Sequence, residues 1–340
     1  MPRRRLSERQ IQRVRTLQER RRQRLEERAE RALGTLEEAP PREGLVVVRY
    51  GANLAVEDSR GRVHHCLTRQ NIGHPVCGDR VVWQPTGTGQ GVVTAILQRR
   101  TLLSRPDFGG RDKPLAANLT QLVVIIAPRP EPSEYLIDQY LVAARLMEVE
   151  ALIACNKIDL LDVGELSDLK ERFSRYETIG YPVIWLSLRD ARQPATLTPY
   201  LEGETSILVG QSGVGKSSLV KTLLPDREVQ IGRLSKATGL GRHTTSATTC
   251  YRLPAGGHLI DSPGVRSFRL GVRDFRALER GFREFTPFVA RCQFADCRHD
   301  QEPGCALKQA VRDGAVHSDR LANFRHMAER MLKDAERFGD

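Results

Sequence analysis

Between Leu45 and Leu97 apolar residues gather in short β-rich runs, Leu45 to Tyr50, Asn53 to Val56, Arg62 to Leu67, Asp79 to Trp83 and Gly91 to Leu97, with Gly and Pro between them. Short runs of this composition broken by turn formers predict strands. Five such strands suit a small closed barrel of the OB type, because closure leaves no sheet edge exposed. After Arg105 the period changes. Leu122 to Ala127 and Ala151 to Cys155 are continuous apolar runs, and between them Glu134 to Val149 carries Leu136, Ile137, Tyr140, Leu141 and Ala144 on one side of a helix. Further strands are expected at Val183 to Leu186, Ser206 to Val209, Thr248 to Leu253 and His258 to Ile260, with helical spacing between several of them. Strands alternating with helices imply a mostly parallel sheet covered on both faces, whose ligands sit at the carboxyl ends of the strands. A final helix is expected over Asp319 to Phe338, with Leu321, Phe324, Met327, Ala328 and Leu332 as its stripe.

This division predicts a multidomain chain: an arm over 1–40, an OB-fold β-barrel over 41–103, an α/β domain over 104–272 and an α-helical domain over 273–340. Charge sharpens the picture. Lys and Arg outnumber Asp and Glu by 53 to 42, a net charge of +11, which points to a polyanion and makes nucleic acid the leading partner. The arm alone holds twelve Arg, no Lys and seven Glu around a thin stripe of Leu6, Ile11, Val14, Leu17 and Leu25. In the barrel, Arg60, Arg62, His64, His65 and Arg69 lie where loops can meet phosphates. No uncharged apolar run approaches the length of a membrane-spanning helix, and the seven cysteines are too few and odd in number for a secreted disulfide framework. A cytoplasmic protein is expected.

Gly210-Gln211-Ser212-Gly213-Val214-Gly215-Lys216-Ser217 fits G-x-x-x-x-G-K-[ST] between a predicted strand and a predicted helix. In that context the glycines turn backbone N–H groups toward a β-phosphate, the helix N-terminus adds its positive dipole end, Lys216 neutralises β and γ oxygens, and Ser217 can ligate Mg²⁺. Asp261-Ser262-Pro263-Gly264 follows another strand, so Asp261 can hold Mg²⁺ through water and Gly264 can offer its N–H to the γ-phosphate. Asn156-Lys157-Ile158-Asp159 is an N-K-x-D base reader. Asp159 can accept from guanine N1–H and the exocyclic amine, Lys157 lies along the ring, and Asn156 braces the loop. Adenine lacks that donor pair and would leave the carboxylate unpaired. Ser187-Leu188, after the strand at Val183, stands where a second base-side loop belongs, with Leu188 in place of the usual Ala.

The base reader precedes the phosphate loop, an order that is permuted relative to familiar GTPases. With that order, the stretch Gly241-Arg242-His243-Thr244-Thr245, the preceding barrel and a following Cys/His cluster, the chain resembles the circularly permuted, ribosome small subunit-dependent GTPase A (RsgA) family over about residues 42–330. The resemblance implies hydrolysis of GTP to GDP and phosphate, stimulated by the 30S ribosomal subunit, with 16S rRNA as partner, a role in late maturation of that subunit, and a monomer. The residues expected to touch GTP are then Asn156, Lys157, Ile158, Asp159, the phosphate loop through Ser218, Asp261 and Gly264.

A switch loop is expected over 233–247, coupling nucleotide state to RNA binding, with Thr244 or Thr245 supplying a Mg²⁺ ligand. Val265 stands where Ras-like GTPases carry a water-orienting Gln, so intrinsic hydrolysis should be slow. His243 can orient or deprotonate water, or contact phosphate or RNA instead; with Lys216 and Thr245 it forms the expected catalytic set. Near the C-terminus, Cys292, Cys297, His299 and Cys305 form C-x4-C-x-H-x5-C, a donor set for one structural Zn²⁺. Two rival readings are a P-loop ATPase or kinase carrying N-K-I-D by coincidence, and an RNA-binding zinc protein whose nucleotide pocket is only structural.

Overall fold

The computed structural model describes residues 27, 40–50, 53–69, 72–106, 112–189, 193–226, 230, 248–262, 272 and 274–338. The expectations for His243, Thr244, Thr245, Gly264 and Val265, and for nearly all of the arm, lie outside these residues. The chain divides into two compact units, one formed by residues 1–99 with 226–250 and the other by 100–225 with 251–340. Among the described residues no helix is long and apolar enough to cross a membrane.

The first unit is built on β1 (Arg42–Tyr50), β2 (Asn53–Glu57), β3 (Val63–Thr68), β4 (Arg80–Gly87) and β5 (Gln90–Ile96). β1 pairs antiparallel with β2 and β4, β2 with β3, and β4 with β5, while β3 and β5 run parallel. These pairings close the five strands into the barrel that the five short runs predict. Val46, Leu54, Val56, Cys66, Val81, Trp83 and Val93 form its core. Close packing explains two glycines, since a Cβ at Gly91 would lie 2.5 Å from Cε3 of the Trp83 indole and one at Gly44 2.4 Å from Val56 Cγ1. Thr248 and Thr249 extend this sheet by pairing with Arg49 and Val48.

The second unit opens with a hairpin, β6 (Leu102–Pro106) and β7 (Asp112–Ala117), which the sequence analysis does not anticipate. Prolines 106 and 114 within the two short strands mask their pattern. Then follow β8 (Gln121–Ile126), α1 (Glu134–Leu146), β9 (Glu150–Cys155), α2 (Val163–Thr178), β10 (Val183–Trp185), β11 (Thr205–Val209), α3 (Lys216–Leu223), β12 (Thr248–Arg252), whose first three residues belong to the first unit, and β13 (His258–Asp261). Within this unit five parallel strands lie in the order β10-β9-β8-β11-β13. The chain enters at the centre with β8 and builds outward first to one side, then to the other. Strand order therefore reverses between β8 and β11, where α/β sheets open a ligand crevice at the carboxyl edge.

Local chemistry sets the helix ends. Ser133 caps α1 through Oγ, which accepts from the Leu136 N–H at 3.3 Å. A capping box starts α2: Asp162 Oδ1 accepts from Glu165 N–H at 2.8 Å, and Glu165 Oε2 accepts from Asp162 N–H at 3.0 Å. α1 stops three residues short of the expected Val149, because Glu148 adopts a left-handed φ of 56° that reverses the chain toward β9.

The C-terminal helices α4 (Phe275–Gly281), α5 (Ala306–Arg312) and α6 (Ser318–Phe338) enclose Leu278, Phe282, Phe285, Leu307 and Phe324, and this core includes Val142 of α1. Gly281 permits the approach, since a Cβ there would meet Val142 Cγ1 at 2.5 Å. The α6 stripe is as expected through Ala328, whereas Leu332 is 48% exposed, beyond the edge of the core.

Candidate nucleotide site and metal centre

Parallel strands deliver their loops to one edge, and here that edge receives Asn156 after β9, Ser187 after β10, Gly210 after β11 and Asp261 at the end of β13. The phosphate loop takes its shape from glycine. Gly210, Gly213 and Gly215 have φ of 133°, 84° and 97°, conformations that L side chains rarely adopt. A Cβ on Gly210 would strike the Ile125 carbonyl oxygen at 2.1 Å, so β8 and the loop meet backbone to backbone. Val214 is fully buried and anchors the loop, while Ser217 and Ser218 are exposed on the first turn of α3. The Lys216 ammonium donates to the Gly210 carbonyl at 2.6 Å and to that of Gln211, which places its charge over the loop.

The N-K-x-D segment lies directly against this loop. Asn156, 1% exposed, donates from Nδ2 to the Val214 carbonyl at 2.9 Å. Lys157, itself left-handed at φ 66°, donates from Nζ to the Gly213 carbonyl at 2.6 Å. A Cβ on Gly215 would lie 2.3 Å from Asn156 Nδ2, so the third loop glycine makes room for the bracing amide. Ile158 and Asp159 follow in a short 3₁₀ turn. Asp159 Oδ1 accepts from the buried Ser187 hydroxyl at 2.5 Å, and Oδ2 lies 3.2 Å from Nε of the exposed Arg189. Ser187 is thus the member of the Ser187-Leu188 pair that touches Asp159, and Leu188 leaves that contact intact. Arg189 is absent from the sequence reading, and its position two residues beyond Ser187 is the sole signal for it.

Taken together, the edge presents a cationic cradle of loop N–H groups, a helix N-terminus and Lys216, joined by two hydrogen bonds to a loop that ends in a carboxylate. It can hold a molecule that is anionic at one end and offers paired N–H donors at the other.

A second centre lies among the C-terminal helices. The ligand atoms of Cys292, Cys297, His299 and Cys305 all lie within 4.8 Å of one another. His299 Nδ1 sits 3.6, 3.5 and 3.4 Å from the three sulfurs in that order. The residues fit a closed tetrahedral zinc site: three soft sulfurs and one imidazole nitrogen converge, and all but the half-buried Cys292 are buried. On the other side of the ring, His299 Nε2 is 2.5 Å from Glu279 Oε1, and Arg276 Nη1 donates to both Glu279 oxygens at 2.9 and 3.0 Å. Burial works to raise the Glu279 pKa, yet the His299 and Arg276 contacts outweigh it and hold the carboxyl below its ordinary range. Glu279 is missed by the sequence analysis because no local spacing ties α4 to the knot. The other two C-terminal histidines stand apart: His326 stacks on Tyr135 and His317 contacts Arg175. Cys66, Cys77, Cys155 and Cys250 are buried free thiols.

A family model described as RsgA GTPase matches residues 96–271. The small ribosomal subunit biogenesis GTPase RsgA of Pseudomonas aeruginosa strain LESB58 is 43% identical over 334 residues, which cover 97% of this chain and 98% of the relative. Its counterpart in Ectopseudomonas mendocina is 42% identical over 341 residues, covering 98% and 99%. Among solved structures, YjeQ from Thermotoga maritima superposes with a TM-score of 0.70 at 31% identity, over 86% of this chain and 99% of that one. YloQ, described as a circularly permuted GTPase, gives 0.68 at 27% identity over 88% and 96%. A base-side loop that comes first in the chain yet closes on the phosphate loop, and similarity that runs nearly end to end, lead to one assignment: the chain belongs to the RsgA family of circularly permuted GTPases, hydrolases that act on GTP.

Proposed function

We propose that the protein is a GTP-operated, RNA-binding switch that docks on the 30S ribosomal subunit through 16S rRNA, hydrolyses GTP to GDP and phosphate when docked, and acts in late maturation of that subunit. The observation that carries this reading is the pair of hydrogen bonds from Asn156 and Lys157 to Val214 and Gly213, which join the base reader and the phosphate loop in one site. The names of the full-length relatives, small ribosomal subunit biogenesis GTPases, supply the biological setting.

In this reading Asp159 accepts from guanine N1–H and the exocyclic amine, in exchange for its contacts with Ser187 and Arg189. Lys216 turns from the Gly210 carbonyl to the β and γ oxygens. Ser217, Thr244 or Thr245, and Asp261 through water would hold Mg²⁺, which when bound neutralises charge on the phosphates. His243 orients the attacking water once RNA orders the loop over 233–247, taking the place of the Gln that Val265 cannot supply. The arm over 1–40, the barrel over 41–103 and the zinc-binding module over 273–340 grip the subunit, and residues 104–272 form the GTPase domain. One structural zinc ion sits in the Cys292, Cys297, His299 and Cys305 centre. A monomeric, cytoplasmic protein is part of the same proposal.

The test is GTP turnover with and without purified 30S subunits at several salt concentrations. Stimulation that falls steeply as salt rises is expected, because phosphate-driven docking releases counterions. Turnover abolished by Lys216→Ala but indifferent to 30S subunits would overturn the ribosomal part of the reading, and equal affinity for ATP would overturn the guanine part.

A further inference from the structure

The Cys/His centre is held from behind by a side chain outside the four-residue motif. His299 is fully buried, and its two ring nitrogens face different chemistry: Nδ1 points into the three sulfurs, and Nε2 meets Glu279 at 2.5 Å. Nε2 has one acceptor partner, so its proton belongs there, and Nδ1 is left with its lone pair toward the cysteines. Glu279, 5% exposed, is in turn held by both contacts from Arg276 Nη1. Phe275 stacks on the imidazole with centroids 6.4 Å apart, and Phe324 closes another side at 5.9 Å. His299 also has a left-handed backbone at φ 61°, unusual for a residue with a side chain, and Arg325 donates to its carbonyl at 2.9 Å. Every degree of freedom of this ring is thereby restrained from α4 or α6.

We propose that Glu279 is a positioning residue of the metal centre: it fixes the tautomer and orientation of His299, and Arg276 fixes Glu279, so that α4 forms an outer layer of the site. The inference rests on the reading of the cluster as a zinc centre. A carboxylate behind a ligating imidazole raises the basicity of the ligand nitrogen and removes the rotational freedom it would otherwise lose on binding. The consequence reaches beyond the cluster. α4 packs through Gly281 onto Val142 of α1, so the helix that senses the metal ligand also contacts the helix leading out of β8.

The experiment uses the full chain, stripped of metal and titrated with zinc against a chromophoric chelator, and then with cobalt(II) as a spectroscopic probe. Glu279→Ala is expected to weaken zinc binding by about 10- to 100-fold, to alter the cobalt ligand-field spectrum, and to leave a four-ligand site. Glu279→Gln keeps an acceptor for Nε2–H and is expected to recover most of the affinity. Arg276→Ala should fall between the two. A role in helix packing alone would lower stability without changing the zinc affinity of the folded protein or the cobalt spectrum. Unchanged affinity and spectrum in folded Glu279→Ala would therefore overturn the proposal. Failure of the unaltered chain to bind zinc would instead overturn the zinc reading on which it rests.

Discussion

Asn156 shows how one side chain joins two motifs. Its amide is almost wholly enclosed, and the Val214 carbonyl it serves belongs to a residue with no exposed surface. Asn156→Ala would leave that carbonyl buried without its side-chain donor, so a loss of about 1–3 kcal/mol in stability is expected by urea denaturation. Guanine nucleotide affinity, read with a fluorescent GDP analogue, should fall by roughly tenfold or more as the reader loses its register on the phosphate loop. Lys157→Ala removes a bond from a more exposed group, and its stability cost should be smaller. Both loops were legible as motifs because each is contiguous and follows a recognisable strand. Arg189 and Glu279 were not, since their roles depend on neighbours that share no short spacing with them.

Between elements, the main device is a buried polar network joining α1 to α6. Asp138 has no exposed surface and Arg320 is 2% exposed. Asp138 Oδ1 accepts from Arg320 Nη1 at 2.5 Å and from the Tyr176 hydroxyl at 2.9 Å, while Oδ2 accepts from Asn323 Nδ2 at 2.7 Å. Arg320 also reaches Glu284 at 2.6 Å. Burial pushes the Asp138 carboxyl up, and Arg320 is the strongest of the groups that oppose it. Arg320→Ala leaves two carboxylates without their cation and is expected to cost about 3–5 kcal/mol near neutral pH. The sign with pH follows: protonation of Asp138 removes the uncompensated charge, so the deficit measured by urea denaturation should shrink as pH falls. The apolar stripes of α1 and α6 were visible as periodicity. That each helix also carries a charged residue on its buried side was not, because a lone charge in a helical pattern normally marks the solvent face.

At the scale of the whole molecule, two compact units divide the chain, and the metal centre belongs to the one that carries the nucleotide loops. Cys297 and Cys305 share a core with Val142, Leu278 and Phe324, so on the proposed zinc reading metal loading would be thermodynamically linked to folding of this unit. At a free zinc level near a thousand times its dissociation constant, binding to the native state alone contributes about 4 kcal/mol. Chelation should therefore lower the calorimetric transition of the nucleotide-binding unit and leave that of the barrel unit in place. Coincident shifts of both transitions would argue against this linkage.

What could be read along the chain is what short-range physics writes there: strand and helix periods, glycines with a left-handed backbone, the two contiguous motifs proposed to cradle phosphate and read guanine, and a compact set of candidate metal donors. Each depends on residues a few positions apart, within reach of local sterics and hydrogen bonding. The closing of Asn156 onto Val214, the seating of Glu279 behind His299 and the burial of Arg320 against Asp138 depend on contacts spanning 58, 20 and 182 positions. No local period encodes such partners, because they are chosen by the packing of the folded core as a whole.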